Sequence, residues 1–155
     1  MTSFEELLAR DGKLVYKTKG VSMEPMLRQN RDLVVIRVPV SRLRKFDVAL
    51  YKRGKDYVLH RVIEAKDGYY LIRGDNTYSF EHVPDSAVIG VLSAFQRKGK
   101  LYETTNAGYQ RYVRVWNAIY PLRLFYIRCR QLLVRIAKKM GLLPALKKLL
   151  KRKKP

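Results

Sequence analysis

Lys19-Gly20-Val21-Ser22-Met23-Glu24-Pro25-Met26-Leu27 bends the chain around a serine. Gly20 reaches backbone angles closed to other residues, and Pro25 has a fixed φ and no amide hydrogen, so a sharp turn is expected at Ser22. Such a turn exposes a hydroxyl and aims backbone N–H groups at one point, which is the geometry that holds an oxyanion during acyl transfer. Two further settings lie downstream, Leu59-His60-Arg61-Val62-Ile63 and Arg73-Gly74-Asp75-Asn76. A serine becomes a competent nucleophile when an imidazole takes its proton and a carboxylate holds that imidazole in the right tautomer. Ser22, His60 and Asp75 supply those three groups in that order. Lys52 and Lys55 are the other bases within the same region, and His82 reads as a surface residue.

The hydropathy pattern around these settings is that of strands. Residues 13–19 alternate into the serine turn, 32–38 form a β-branched run, and 47–52 form another, closed by a turn at Gly54-Lys55. Residues 57–65 and 69–73 read as a hairpin joined at Asp67-Gly68, which carries His60 on its first strand and Asp75 just beyond its second. A strand over 87–97 turns at Lys98-Gly99-Lys100 and ends near Glu103. Ahead of them all, residues 4–10 form a short amphipathic helix, with Ser3 and Glu6 as a capping box. The fold expected is mainly β, a partly open antiparallel barrel or sandwich with a short N-terminal helix.

These residues resemble the type I signal peptidases, whose catalytic domain shares its β-fold with the self-cleaving domain of LexA-type repressors. The likeness covers residues 14–91. Gly20-Val21-Ser22-Met23-Glu24-Pro25 resembles the nucleophile box of that family, and Arg31-Asp32-Leu33-Val34-Val35 resembles its following strand box. Leu59-His60-Arg61-Val62-Ile63 resembles the general-base box, and Gly74-Asp75-Asn76 the last one. Most bacterial members have lysine at the base position; His60 before Arg61 is similar to the endoplasmic-reticulum and archaeal branch. The resemblance implies a LexA/signal-peptidase-like antiparallel β-barrel or sandwich, with Ser22 as nucleophile, His60 as base and Asp75 orienting the imidazole. In the histidine branch a second acid several residues later can face the imidazole, which makes Glu81 the alternative acid. Gly20 stands where many relatives have an oxyanion-binding serine, so backbone donors of Gly20, Val21 and Ser22 take that role. Met23 and Met26 would line a cleft that accepts an extended substrate as an added strand, with small residues at the first and third positions before the cut. No metal or organic cofactor is implied.

Charge is distributed unevenly. The 155 residues carry 33 Lys and Arg against 13 Asp and Glu, a net +20, and residues 109–155 hold 14 of the basic residues and no acid. The other 19 basic residues leave only +6 for the remainder. Two parts are therefore expected: a peptidase-like domain over 1–104 and a basic helical tail over 105–155, entered through Thr104-Thr105-Asn106-Ala107-Gly108. In the tail Trp116, Ile119, Tyr120, Leu122, Phe125, Cys129, Leu132, Leu133 and Ile136 recur at spacings of three and four, with arginines interleaved too densely for a membrane span. Pro121 and Gly141 should divide it into helices, the last over 142–154. An apolar stripe among cations suits an anionic membrane surface, with packing on the barrel or on another subunit as the alternatives.

One cysteine excludes an internal disulfide, and two histidines provide no obvious metal site. The charge confers general phosphate affinity, but no helix-turn-helix, zinc finger or RNA-binding signature marks a specific nucleic-acid reader. The N-terminus carries no export signal and the family's membrane-spanning helix is not seen before Ser22, so a cytoplasmic protein, peripheral at the inner face of the cell membrane, is expected. The function expected is a serine endopeptidase of signal-peptidase type, acting on an extended segment of a precursor protein or leader peptide. The alternative is a non-catalytic membrane- or nucleic-acid-binding module on a degenerate peptidase scaffold.

Overall fold

The computed structural model describes residues 3–139. These divide into two compact units between Arg114 and Val115. The first unit begins with α1 (Phe4–Asp11), capped as expected: the Ser3 hydroxyl accepts from the Glu6 amide, and the Glu6 carboxylate accepts from the Ser3 amide. Eight strands follow: β1 (Lys13–Lys17), β2 (Leu33–Arg37), β3 (Val48–Arg53), β4 (Asp56–Lys66), β5 (Tyr69–Arg73), β6 (Glu81–Pro84), β7 (Val88–Arg97) and β8 (Lys100–Glu103). The chain then enters α2 (Ala107–Ala118).

All pairings are antiparallel, in the order β1-β2-β7-β3-β4-β5-β6. The ten-residue β7 reaches further than its neighbours. It pairs with β2 along one edge and divides its other edge between β3, through residues 88–91, and β8, through residues 94–97. The sheet does not close, because β1 and β6 end the order without pairing to each other; the barrel form of the expectation is corrected to an open sheet. Irregularities at Val35/Ile36, Leu50/Tyr51 and Val62/Glu64 are the kind of bulge that bends and twists a sheet locally. One further strand, β6, escaped the sequence pattern because four residues, Glu81-His82-Val83-Pro84, contain a single buried apolar side chain.

Successive residues of a strand point to opposite faces, and two cores result. Val48 and Leu50 of β3 join Leu14, Val34, Ile36, Leu59, Leu92 and Phe95 on one face, covered by Leu8 of α1 and by Met23, Met26 and Leu27. Ala49 and Tyr51 join Val62, Tyr70, Ile72 and Val83 on the other. β3 is thus buried on both sides, which is why residues 48–51 read as an unbroken apolar run.

α2 begins almost at once after the turn, and its Tyr109 and Val113 belong to the first core. The division at Arg114/Val115 therefore falls ten residues beyond the compositional change at 104/105. Composition registers the loss of acidic residues, whereas the boundary follows burial. In the second unit, α3 (Tyr120–Lys139) starts after a break at Ile119, with Pro121 in its first turn where a missing N–H costs nothing. Gly141 and the helix expected over 142–154 lie outside the described residues. Leu122, Phe125, Tyr126, Leu132, Leu133 and Ile136 of α3 are all exposed and recur along one side of the helix. Among the described residues no helix is long and apolar enough to cross a membrane.

Val113 is 0% exposed and Val115, two residues on, 54%. Val113→Ala should cost about 1–3 kcal/mol by urea denaturation, and Val115→Ala less than about 0.5 kcal/mol. Equal losses at the two positions would mean that α2 does not complete the first core.

Candidate functional site

The Ser22 turn is anchored on both sides. Gly20 adopts φ +83°, a left-handed conformation that explains the glycine. Before it, the Thr18 amide donates to the Asp32 carbonyl at 3.4 Å and the Thr18 carbonyl accepts from the Asn30 amide at 3.0 Å. Asp32 is fully buried; its carboxylate accepts from the Arg28 amide at 2.9 Å and from both ends of the Arg31 fork at 2.6 and 2.8 Å. After Ser22, the Leu27 amide closes a turn on the Met23 carbonyl while Met23, Met26 and Leu27 sink into the core.

The segment after β5 is stitched to this turn. The Ser22 carbonyl accepts from the Asn76 amide at 2.7 Å, and the Asn76 side-chain amide donates to the Val21 carbonyl at 3.2 Å. Gly74 sits between serine and histidine: a Cβ placed on it would lie 2.7 Å from the Ser22 carbonyl oxygen and 3.1 Å from Nε2 of His60. A side chain at this position would press on both groups, so glycine is required there. Ser22 and His60 line one cleft of about 760 Å³, together with Gly20, Met23, Thr77 and Glu81. Val21 is exposed and Met26 is buried with its sulfur accepting from Arg61, and neither lines this cleft.

Strand register determines what lies behind the imidazole. Ala49 opposes His60, Val62 opposes Ile72, and Ile72 opposes Glu81, so Tyr51, His60 and Glu81 share one face of the sheet. Nδ1 of His60 lies 3.2 Å from Oε1 of Glu81 and 3.2 Å from the Tyr51 hydroxyl oxygen. The Tyr51 hydroxyl donates to Oε2 of Glu81 at 2.9 Å, and Arg53 donates to the same oxygen at 3.1 Å. His60 is 5% exposed. Burial pushes its pKa below the ordinary histidine value, against the pull of Glu81, with Arg53 adding to the depression. Burial would raise the Glu81 pKa, but the hydrogen bonds from Tyr51 and Arg53 outweigh it and hold the carboxylate below its usual range.

Asp75 has a different partner. Its two oxygens each accept from Arg61 at 2.7 Å, in a pair whose side chains are 2% and 1% exposed. Arg61 also donates to the Phe46 carbonyl at 2.9 Å, the Tyr109 hydroxyl at 3.1 Å and the Met26 sulfur at 3.1 Å, which uses all five of its N–H groups. The carboxylate in contact with Nδ1 is thus that of Glu81, the acid ranked second in the sequence, while Asp75 holds the neighbouring arginine. The reason is the two-residue period of β4, which turns His60 and Arg61 to opposite faces. Tyr51, Arg53 and Arg61 were not singled out in the sequence; the register of β3 on β4 is the signal that would have found Tyr51.

The remaining candidates are accounted for elsewhere. Lys52 pairs with Glu5 at 2.9 Å, Lys55 is exposed on the cleft wall, and His82 packs against the Tyr69 ring on the surface. Thr18 also lines the cleft, and its buried hydroxyl has no hydrogen-bond partner among the described residues. Among the described residues no group of three or more His, Cys, Asp or Glu could hold a metal ion. No family model matches the chain, and no curated protein matches it either.

The two carboxylates should separate experimentally. Asp75→Ala strands a buried guanidinium and should cost about 3–5 kcal/mol of stability in urea denaturation. Glu81→Gln, on a quarter-exposed side chain, should change stability by less than about 1 kcal/mol. Comparable losses for the two would remove the division of roles.

Proposed function

We propose that this chain is a serine endopeptidase of the signal-peptidase type, on a LexA/signal-peptidase-like variant of the open antiparallel sheet. The observation that carries the reading is that Ser22 and His60 line one cleft, with the Gly74 backbone close to the Ser22 carbonyl and to Nε2 of His60, and with Glu81 behind the imidazole. Ser22 Oγ attacks the scissile carbonyl as Nε2 of His60 takes its proton. His60 then gives that proton to the departing amine, and water admitted by the same base hydrolyses the acyl-enzyme. Glu81 keeps Nδ1 protonated and stabilises the transient imidazolium. Asp75 acts through Arg61 to hold strand and turn together, and backbone amides of Gly20, Val21 and Ser22 serve the oxyanion. The substrate is an extended segment of a precursor protein or leader peptide laid in the cleft.

Burial of His60 suits this chemistry. A depressed imidazole pKa leaves the neutral, proton-accepting form populated at neutral pH. The rate kcat/KM should rise with pH through an apparent pKa below about 6.5, the unperturbed value for histidine. His60→Ala should lower it by about 10²–10⁴, the usual contribution of a general base, and Ser22→Ala by at least as much. The measurement is cleavage of a protein-derived peptide library read by mass spectrometry, followed by initial rates on a cleaved peptide. Wild-type cleavage by both variants, or none by the wild type, would favour a non-catalytic binding module instead.

A second element of the proposal is membrane attachment through the tail. What favours it is the exposed stripe of α3, Leu122, Phe125, Tyr126, Leu132, Leu133 and Ile136, in a segment without acidic residues. Such a helix lies in the headgroup region with its cations against anionic lipid, each basic residue near the surface contributing about 1 kcal/mol. Phe125→Glu with Leu133→Glu should reduce sedimentation with phosphatidylserine vesicles at least tenfold without altering peptide turnover. Undiminished sedimentation of the double variant would show that the stripe is not the contact.

A further inference from the structure

Tyr51 is nearly fully buried, yet its hydroxyl does not simply fill a core; it touches both polar members of the site. A tyrosine has one proton to donate, and an ionised carboxylate can only accept. With that proton given to Oε2 of Glu81, the tyrosine oxygen presents a lone pair to Nδ1 of His60, 3.2 Å away. Both neighbours of Nδ1 can then accept, and a hydrogen carried on Nδ1 satisfies them. In that tautomer Nε2, which lies on the side of Gly74, has no hydrogen.

We propose that Tyr51 is a positioning residue for His60, acting by hooking the Glu81 carboxylate inward and accepting a share of the Nδ1–H hydrogen bond. This rests on the peptidase reading and adds to it the group that keeps the base in its working tautomer. The alternative anchor, Arg53, is more than half exposed and can follow Glu81 into water, whereas Tyr51 is locked in β3 diagonally across from His60, ring centroids 6.2 Å apart. Burial also raises the Tyr51 pKa, so its hydroxyl remains a donor throughout the working range. The charged groups acting on the imidazole are Glu81 and Arg53 on this face and Asp75 more distantly. Of these, Tyr51 constrains Glu81 directly.

The test is Tyr51→Phe in the full chain, with His82→Gln in the background so that His60 is the only imidazole. Long-range proton–nitrogen correlation spectra report the tautomer directly. The parent should show a single Nδ1–H form. Tyr51→Phe should release Glu81 towards solvent and yield a mixture with the Nε2–H form, together with a roughly tenfold fall in kcat at unchanged KM. Phe retains the ring that packs in the core; Tyr51→Met, adaptable in shape and equally without a hydroxyl, is read alongside it. A single, unchanged tautomer in a folded variant overturns the proposal whatever the rate does. A mixed tautomer in the variant, with no cleavage by the parent, supports the Tyr51 geometry and removes the peptidase reading, so the two failures are distinguishable.

Discussion

The arrangement of the first unit depends on one buried ion pair, Arg61 with Asp75. Its guanidinium makes contacts with four separated parts of the chain: the turn after β5 through Asp75, the approach to β3 through the Phe46 carbonyl, the serine turn through Met26, and α2 through Tyr109. Taking both charges out of water is costly, and their attraction offsets that cost only because the fork is bidentate and every remaining N–H finds an acceptor. Net stabilisation is consequently not the role best ascribed to it. What the pair supplies is selectivity. A chain with a shifted β4 register, or a serine turn displaced from the sheet, leaves a buried charge without its partners, and such alternatives are penalised far more heavily than loss of an apolar contact. His60 is next to Arg61, and the Ser22 carbonyl accepts from the amide of Asn76, next to Asp75, so both are tethered to the pair.

Two acids with unlike surroundings then divide the work. Asp75 is dry, bidentate and committed to a permanent cation, conditions under which a carboxylate is a structural element and has little to give to a base. Glu81 sits at the rim, a quarter exposed, with hydrogen bonds from Tyr51 and Arg53 and a longer approach to Nδ1. Partial hydration matters here. On the proposed mechanism, a base that becomes an imidazolium in the transition state, and loses that charge again, is best served by an acid whose charge is already stabilised and needs no rearrangement. Burial lowers the His60 pKa, and Glu81 moderates that depression without reversing it.

Much of this could be read from residues alone, and the exceptions share a cause. Gly20, Ser22 and Pro25 mark a turn because their constraints are local, and the Asp67-Gly68 hairpin and the Ser3–Glu6 capping box are equally local. Whether Asp75 or Glu81 would meet His60 is a question about faces and registers, and it is decided by Ile72 pairing with Glu81 across a strand too short to announce itself. Tyr51 was hidden for a similar reason: in a run buried on both sides, an aromatic looks like core, and only the pairing of β3 with β4 places its hydroxyl beside His60. The compositional change near residue 105 and the compact unit's end at Arg114 differ because acidic residues cease after Glu103 while burial continues through Val113.

The tail poses a balance between two forces that scale differently. An exposed row of large apolar side chains on one helix is a liability in water, and a soluble chain ordinarily covers such a patch. Dense positive charge opposes the simplest covering, a second copy of the same helix, because like charges brought within a Debye length of about 8 Å at physiological salt repel. The same charge suits the anionic bilayer proposed above, which would supply both an apolar medium for Phe125 and Leu133 and counter-charge for the arginines of the helix. Salt separates the contributions: screening weakens the attraction to lipid headgroups but leaves burial of the stripe, so a vesicle interaction that retains a salt-resistant component reports insertion, and one abolished by salt reports only adsorption.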